Sequence, residues 1–497
     1  MLHTLTSIRL RFTIATLVAG VVYLVVLALM VYGVERYQSG PLLVGYGLLF
    51  GLYLMLVWGA KELPFWSYLL LAAVARLLLL PSMPSLSDDF YRFLWDGHLL
   101  VEGLHPFSHS PEWYMQAGEP EVQNISPELY KGLNSKSYFT IYPPLAQALF
   151  AFAAWIGGSS IQAGVVLLRL PLLLAECGTV WLLLKLLRQY GLPRRRVLLY
   201  ALNPLVVLEI TGNLHLEAFA VFFLLLLVWS LGKIDKGEAM AGSAKAGWAA
   251  VAFAGAVASK LWPLLLGPYL LLKLGGNKRW QWLLLSSGLL IVLFVPLFGK
   301  PLLEGMLESI SLYYQRFEFN ASLYYLLRGL GYLIFGFNLI VQLGPMLALV
   351  AAGLILFFSS RSVKRGWGIP ETLMLLYGLF LLCATTVHPW YVLPLLALMP
   401  LTHLRFSLAW SGLVFLTYAG YTQTGYEEPL ALVALEYAVV ILVLCWDLKK
   451  QKEFQTTPAN HAPASAVHQS LRMGVPERGV SLPAVKEPVK APLRKKI

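Results

Sequence analysis

Residues 13–33 read TIATLVAGVVYLVVLALMVYG, an uninterrupted run without a charged side chain. As a helix rising 1.5 Å per residue the run is about 31 Å long, the thickness of a bilayer's hydrocarbon core. It is too long for the hydrophobic segment of a secretory signal and lacks a small-residue cleavage site, so a retained first span is expected. Comparable runs recur at 42–60, 65–80, 164–187, 197–211, 216–232, 246–259, 261–273, 281–297, 333–357, 370–387, 391–402, 405–420 and 430–447. The expectation is an all-α polytopic membrane protein of about 12 to 14 helices. Composition agrees: 58% of the 497 residues are hydrophobic, 13% are charged and the mean hydropathy is +0.67. An ordinary soluble protein is excluded.

The net charge of +12 needs no nucleic acid to explain it. Ten Lys/Arg and three Glu lie in residues 449–497, and other cations cluster at Arg194-Arg195-Arg196, Lys233 to Lys236, Lys278-Arg279, Arg361 to Arg365 and Arg405. Such clusters mark cytoplasmic connections. Arg9 and Arg11 put the N-terminus inside, and the 63-residue loop 81–143 then lies outside. The alternate connections, Gly212 to Glu217, Ser259-Lys260, Gly299 to Tyr325, His388 to Tyr391 and Tyr421 to Pro429, hold mixed polar and aromatic residues. Residues 144–158 are apolar but short; a full span there makes the two chain ends disagree about sides, so a re-entrant or interfacial helix is expected. Residues 1–447 are read as one membrane domain and 448–497 as a disordered basic cytoplasmic tail able to touch anionic lipid. Cys177, Cys383 and Cys445 all lie in apolar runs and offer neither a disulfide framework nor a Cys-based zinc site.

Chemistry concentrates in Ser87-Asp88-Asp89-Phe90-Tyr91-Arg92-Phe93-Leu94-Trp95-Asp96-Gly97-His98, at the start of the outer loop. Read as a helix capped by Ser87, it lies at the interface with Phe90, Phe93, Leu94 and Leu100 on one apolar face and Trp95 as an anchor. Asp88 and Asp89 then occupy the first turn, where the helix dipole favours ionised carboxylates. A carboxylate there suits accepting a proton from an attacking hydroxyl; capping and solvation alone would also account for the pair.

Further motifs follow in order: Glu102-Gly103-Leu104-His105-Pro106-Phe107, Ile141-Tyr142-Pro143-Pro144-Leu145, Leu202-Asn203-Pro204, Gly212-Asn213-Leu214-His215-Leu216-Glu217, Ser259-Lys260-Leu261-Trp262-Pro263, Phe319-Asn320-Ala321-Ser322 and His388-Pro389-Trp390-Tyr391. Over residues 10–447 this arrangement resembles the GT-C integral-membrane glycosyltransferases, and among them the bacterial mannosyltransferases that use a polyprenyl-phosphate sugar. The resemblance implies a GT-C fold with an outer loop carrying interfacial helices. It implies inverting transfer of a hexose, mannose first, from a polyprenyl-phosphate donor to a glycan or glycolipid acceptor, with Asp88 or Asp89 as the base. It places the chain in the cell membrane with its active site on the extracytoplasmic face.

Charge building on a leaving phosphate asks for cations aimed at it. Candidates are Lys260, which interrupts an apolar stretch, with Arg316, His215, His388 and Arg92. Lys260 at a helix end is also able simply to snorkel, and Arg316 to be a loop charge paired with Glu318. His215 and Glu217 suit hydrogen bonds to sugar hydroxyls better than a metal, since a two-residue spacing does not put both on one helical face. Trp390 and Tyr391 offer rings for sugar stacking, and equally suit an aromatic belt at the interface. Tyr142 and Asn320 complete the substrate-binding set through their motifs. No metal and no cofactor are expected, and no phosphate-cradling Gly-rich loop appears, so the donor arrives through the lipid. The rival is a secondary transporter or flippase, suggested by the intramembrane charges Arg76, Arg169, Glu176 and Glu209, though no internal repeat supports it.

Overall fold

The computed structural model describes residues 2–59, 61–116, 118–119, 122–232 and 243–456. The Lys233 to Lys236 cluster and most of the tail read as disordered lie outside the described residues. The chain divides into Met1–Leu448 and Lys449–Ile497; all that follows concerns the first unit.

The described residues are helical, with only isolated bridges in place of strands. Six helices are long and apolar enough to cross a membrane: Phe12–Gly33, Ser39–Trp58, Ile161–Gln189, Gly276–Leu297, Ile340–Lys364 and Leu430–Lys450. A further apolar pair, Pro204–Gly212 and Glu217–Leu231, is bent by 120°, as in a broken span or a re-entrant loop. Shorter apolar helices of 10–17 residues complete the bundle, and the 12 to 14 expected from sequence include these. Long helices turn Val21, Leu29, Leu48 and Leu349 outward, all more than half exposed, as lipid-facing surfaces require.

The bend is where tertiary structure departs most from a simple span. Residues Val207–Gly212 form a π-turn, and Leu214 sits at φ 65°, rare for a bulky residue. Carbonyls opened by such a break must be satisfied inside the protein. Arg169 does this, donating to the carbonyl oxygens of Thr211 (2.6 Å), Gly212 (3.1 Å) and Leu80 (2.6 Å). Arg76 makes a two-pronged pair with Glu176, 2.9 Å on each prong, and also donates to the Ala201 carbonyl. Glu176 in turn accepts from Thr211. Three of the four charges suggestive of a transporter thus pin the bent pair to its neighbours. Removing one member strands the other in the bundle, at a cost of about 3–5 kcal/mol. We therefore expect Arg76→Met to melt well below the wild type in detergent, and Arg76→Met/Glu176→Leu to recover much of the loss; equal melting of the single variant and the wild type would contradict this.

Helix Asp89–Val101 differs from its expected interfacial placement. Phe90, Arg92, Phe93, Leu94, Trp95, Asp96, Gly97, His98 and Leu99 are all buried. Trp95 is no lipid anchor: the outer loop folds over it, packing Tyr114 and Tyr130 against its ring. On the opposite side helix Pro144–Gly157 comes so close that a Cβ on Gly97 would lie 2.2 Å from the Phe150 carbonyl oxygen. Ser87 is not the N-cap; Asp88 is, without a side-chain cap bond, while the Ser87 hydroxyl accepts from Asp89 N at 3.3 Å.

Two further differences come from breaks the hydropathy pattern hides. The run 333–357 is two helices, Leu323–Phe335 and Ile340–Lys364, separated where Gly336 adopts a left-handed φ of 81°. The connection Gly299 to Tyr325 contains an amphipathic helix, Lys300–Gln315. Connections of the two kinds separate along the helices. Arg196 donates to the Thr402 carbonyl, and Asp447 accepts from the backbone N–H of Arg405 (2.6 Å) and Phe406 (2.9 Å). Glu428, just before the same last helix, instead accepts from Asn320 N at 3.1 Å and from the Tyr325 hydroxyl. Leu430 to Asp447 is about 26 Å of helix, so the basic and the motif-bearing connections lie at opposite ends.

Candidate active site

Asp89 is the first residue of its helix, and its neighbour Asp88 is engaged elsewhere. Arg36, in the connection between the first two helices, donates to Asp88 Oδ2 at 2.7 Å and lies 4.7 Å over the Tyr421 ring. Asp89 has looser contacts: Asn134 Nδ2 at 3.3 Å and the Tyr142 hydroxyl at 3.5 Å. Its carboxylate therefore keeps acceptor capacity.

Lys260 follows helix Ser243–Ser259, and its ammonium lies 3.1 Å from Glu217 Oε1 and 5.4 Å over the Tyr142 ring. Tyr142 thus joins the Asp89 helix to the Lys260–Glu217 pair. Glu217 Oε2 is buried without a hydrogen-bond partner among the described residues, and so is the Trp262 indole N–H just after Lys260. Orphaned buried polar atoms are costly, and here they accompany an ammonium at the 142, 217 and 260 junction.

His215 stands on the far side of Glu217 in sequence but turns away from it. The bend at Leu214 sends its Nε2 to within 3.3 Å of Glu209 Oε2, and Glu209 also accepts from Asn213 (3.0 Å) and Tyr418 (2.9 Å). Its ring stacks on Trp390 at 3.7 Å, Trp390 stacks on His388 at 4.4 Å, and His388 meets Phe319 at 4.6 Å. Tyr391 packs on His388 at 5.4 Å and lies beside Tyr313. Burial pushes the His388 pKa down to about 3; Asp89 opposes the shift while His215 and Lys260 add to it. In the ligand-free chain that burial favours the neutral ring. Burial likewise raises Tyr313 to about 12, with the Asp89 charge adding to it.

Of the residues expected from sequence, Asp89, Tyr142, His215, Glu217, Lys260, His388, Trp390 and Tyr391 come together. Arg92 does not join them: it is buried, donating to Asp96 Oδ1 at 2.7 Å and to the carbonyls of Ser135 (3.2 Å) and Tyr138 (2.7 Å), where it straps the outer loop. Asp96 also accepts from Thr140 at 2.5 Å and Gln147 at 3.0 Å. Arg316 does not pair with Glu318, which takes Arg328 at 2.8 Å instead; it lies on the outer wall of a neighbouring cleft. Asn320 is buried, donating to Glu436 Oε1 at 3.2 Å, and its loop bridges to Thr386 ahead of His388. It shapes the ring stack from behind. Sequence reading missed Arg36 and Tyr313, each an unremarkable residue until its partner is known.

These features define a polytopic helical membrane protein with a cluster of polar and aromatic side chains at one end of its bundle. The chain belongs to the alpha-(1->6)-mannopyranosyltransferase family: residues 13–275 match the family described as alpha-(1->6)-mannopyranosyltransferase, N-terminal domain. The matched part holds Asp88, Asp89, Tyr142, His215, Glu217 and Lys260. A curated relative, alpha-(1->6)-mannopyranosyltransferase A of Mycobacterium tuberculosis, is 31% identical over 150 residues, 29% of this chain. The match spans about a quarter (26%) of that relative's length.

Proposed function

We propose that this chain is an inverting mannosyltransferase that moves a mannosyl unit from a polyprenyl-phosphate carrier to a glycan or glycolipid acceptor on the extracytoplasmic face of the cell membrane. The observation that carries the reading is the approach of a loosely held carboxylate, Asp89, to the hydroxyl of Tyr142 and of an ammonium, Lys260, to the ring of the same residue. In the reaction the acceptor hydroxyl attacks the anomeric carbon and passes its proton to Asp89. The bond from that carbon to the phosphate oxygen breaks, and the lipid phosphate departs toward Lys260. Inversion at that carbon yields an α-linkage from a β-linked donor, in keeping with the linkage in the family's name. The Glu217 and Trp262 atoms without partners serve sugar hydroxyls, and the His215–Trp390–His388 stack is a wall of stacked rings for the sugar face.

The direct test incubates the purified protein with radiolabelled polyprenyl-phosphate mannose and follows release of the lipid phosphate, with the glucose-bearing carrier in parallel. Turnover of neither carrier, in the presence of α-linked mannose acceptors, would sink the reading. The sidedness has its own check, in a background lacking Cys177, Cys383 and Cys445. Thr424 and Lys364 are both exposed, at opposite ends of the bundle. An impermeant thiol reagent added to intact cells is expected to label Thr424→Cys and spare Lys364→Cys. The reverse pattern would place the site on the cytosolic side.

A further inference from the structure

Beside the site lies a second concavity that the mechanism does not use. It is a cleft of about 230 Å³ between the outer-loop strap 137–139 and the C-terminal half of helix Lys300–Gln315, lined among others by Ser137, Tyr138, Glu308, Ser311, Gln315 and Arg316. Hydroxyls, a carboxylate, an amide and a guanidinium supply donors and acceptors of both kinds without a net charge, which suits a neutral polyol more than an anion. Pockets for drug-sized ligands run to roughly 300–1,000 Å³, so this one fits a single unit of a longer chain.

Its walls are built and continuous with the site. Arg92 holds the strap from one side through the Tyr138 and Ser135 carbonyls, and Ser309 holds it from the other, donating to the carbonyls of Phe139 (3.2 Å) and Thr140 (3.1 Å). Helix Lys300–Gln315 is seated closely on the loop, since a Cβ on Gly305 would lie 2.9 Å from the Phe107 carbonyl oxygen. Two residues past Thr140 the same strap delivers Tyr142 to Asp89. From the helix, Tyr313 reaches Tyr391 while Gln315 and Arg316 line the cleft. Rings bridge the two, with Tyr138 against Phe317 at 5.5 Å and Phe317 against Tyr313 at 5.4 Å.

We propose that this cleft is an acceptor subsite, holding a neutral sugar unit of the acceptor glycan while a neighbouring unit presents its hydroxyl to Asp89. The inference rests on the transfer reaction proposed above and adds the chemical class of the acceptor: a chain of at least two sugars. It also gives Arg92 a task, as a positioning residue that fixes the strap shared by cleft and site.

The test uses the full-length protein in nanodiscs with octyl glycosides of α-(1→6)-linked mannose, one to four units long. In the wild type the acceptor KM is expected to fall about tenfold when the chain grows from one unit to three, a gain of about 1.4 kcal/mol. Ser311→Trp, which fills the cleft, and Gln315→Ala/Arg316→Ala are expected to abolish that gain. Lys300→Ala/Glu304→Ala, an exposed pair on the same helix outside the cleft, is expected to keep it. Titration calorimetry of the four-unit glycoside reads the cleft without the reaction. Binding lost in Ser311→Trp supports the subsite even if no donor turns over, whereas in that case the transfer reading itself fails. Binding or chain-length gain unchanged in both cleft variants overturns the subsite.

Discussion

Asp89→Asn is expected to lower transfer by about 10²-fold or more, while the protein folds and melts nearly as before. The expectation follows from how little Asp89 does for the fold. Its two contacts are long, 3.3 Å to Asn134 and 3.5 Å to Tyr142, and an asparagine at the first helical position gives up only the carboxylate's interaction with the helix dipole, about 0.3–1 kcal/mol. What the amide loses is the ability to take a proton. Asp88 provides the comparison. Its 2.7 Å pair with Arg36 is partly exposed, at 28% and 37%, so Asp88→Asn is expected to cost little stability and less than tenfold in rate, through a small displacement of the helix start. Donor turnover at saturating acceptor, measured for both single variants and the double, decides between them. A larger loss in Asp88→Asn would transfer the role of base to Asp88, and full activity in all three would remove both.

Lys260→Met is expected to produce the second large effect, and the structure changes what it must be compared with. A lysine that only snorkels at a helix end tolerates methionine without loss of stability or rate. Here the ammonium is 3.1 Å from Glu217, whose side chain is 3% exposed, so methionine leaves a buried carboxylate without its cation. Breaking a buried pair from one side costs about 3–5 kcal/mol, and the single variant is therefore expected to lose melting temperature as well as turnover. Lys260→Met/Glu217→Gln separates the two: stability returns, because no charge is stranded, but turnover does not, because no cation meets the leaving phosphate. Lys260→Arg is expected to retain part of the activity. If the double variant turns over donor at near wild-type rate, Lys260 has no part in the chemistry and serves only to neutralise Glu217.

The sequence by itself determined the membrane class and the alternation of basic and motif-bearing connections, and it singled out most of the residues that meet in the site. Those properties are local. A twenty-residue apolar run is committed to lipid or to the bundle by its own composition, and a cluster such as Arg194-Arg195-Arg196 marks one end of a helix without reference to any other. Asp88-Asp89, Lys260 and the His388 turn were legible for the same reason, as polar groups where apolar ones are the rule. The helix Lys300–Gln315 escaped because its mixed polar face does not read as a span, and the break at Gly336 because a single left-handed residue leaves hydropathy unchanged. Only the tertiary structure decided the partners. Arg36 reaches Asp88 across 52 positions, Glu217 rather than solvent takes Lys260, Arg92 turns inward to Asp96 and the strap, and Arg328 displaces Arg316 at Glu318. Which of two adjacent aspartates is held by an arginine is settled by these pairings. An ion pair or a ring stack depends on where two distant segments are brought by packing, and no periodicity or spacing within either segment encodes that distance.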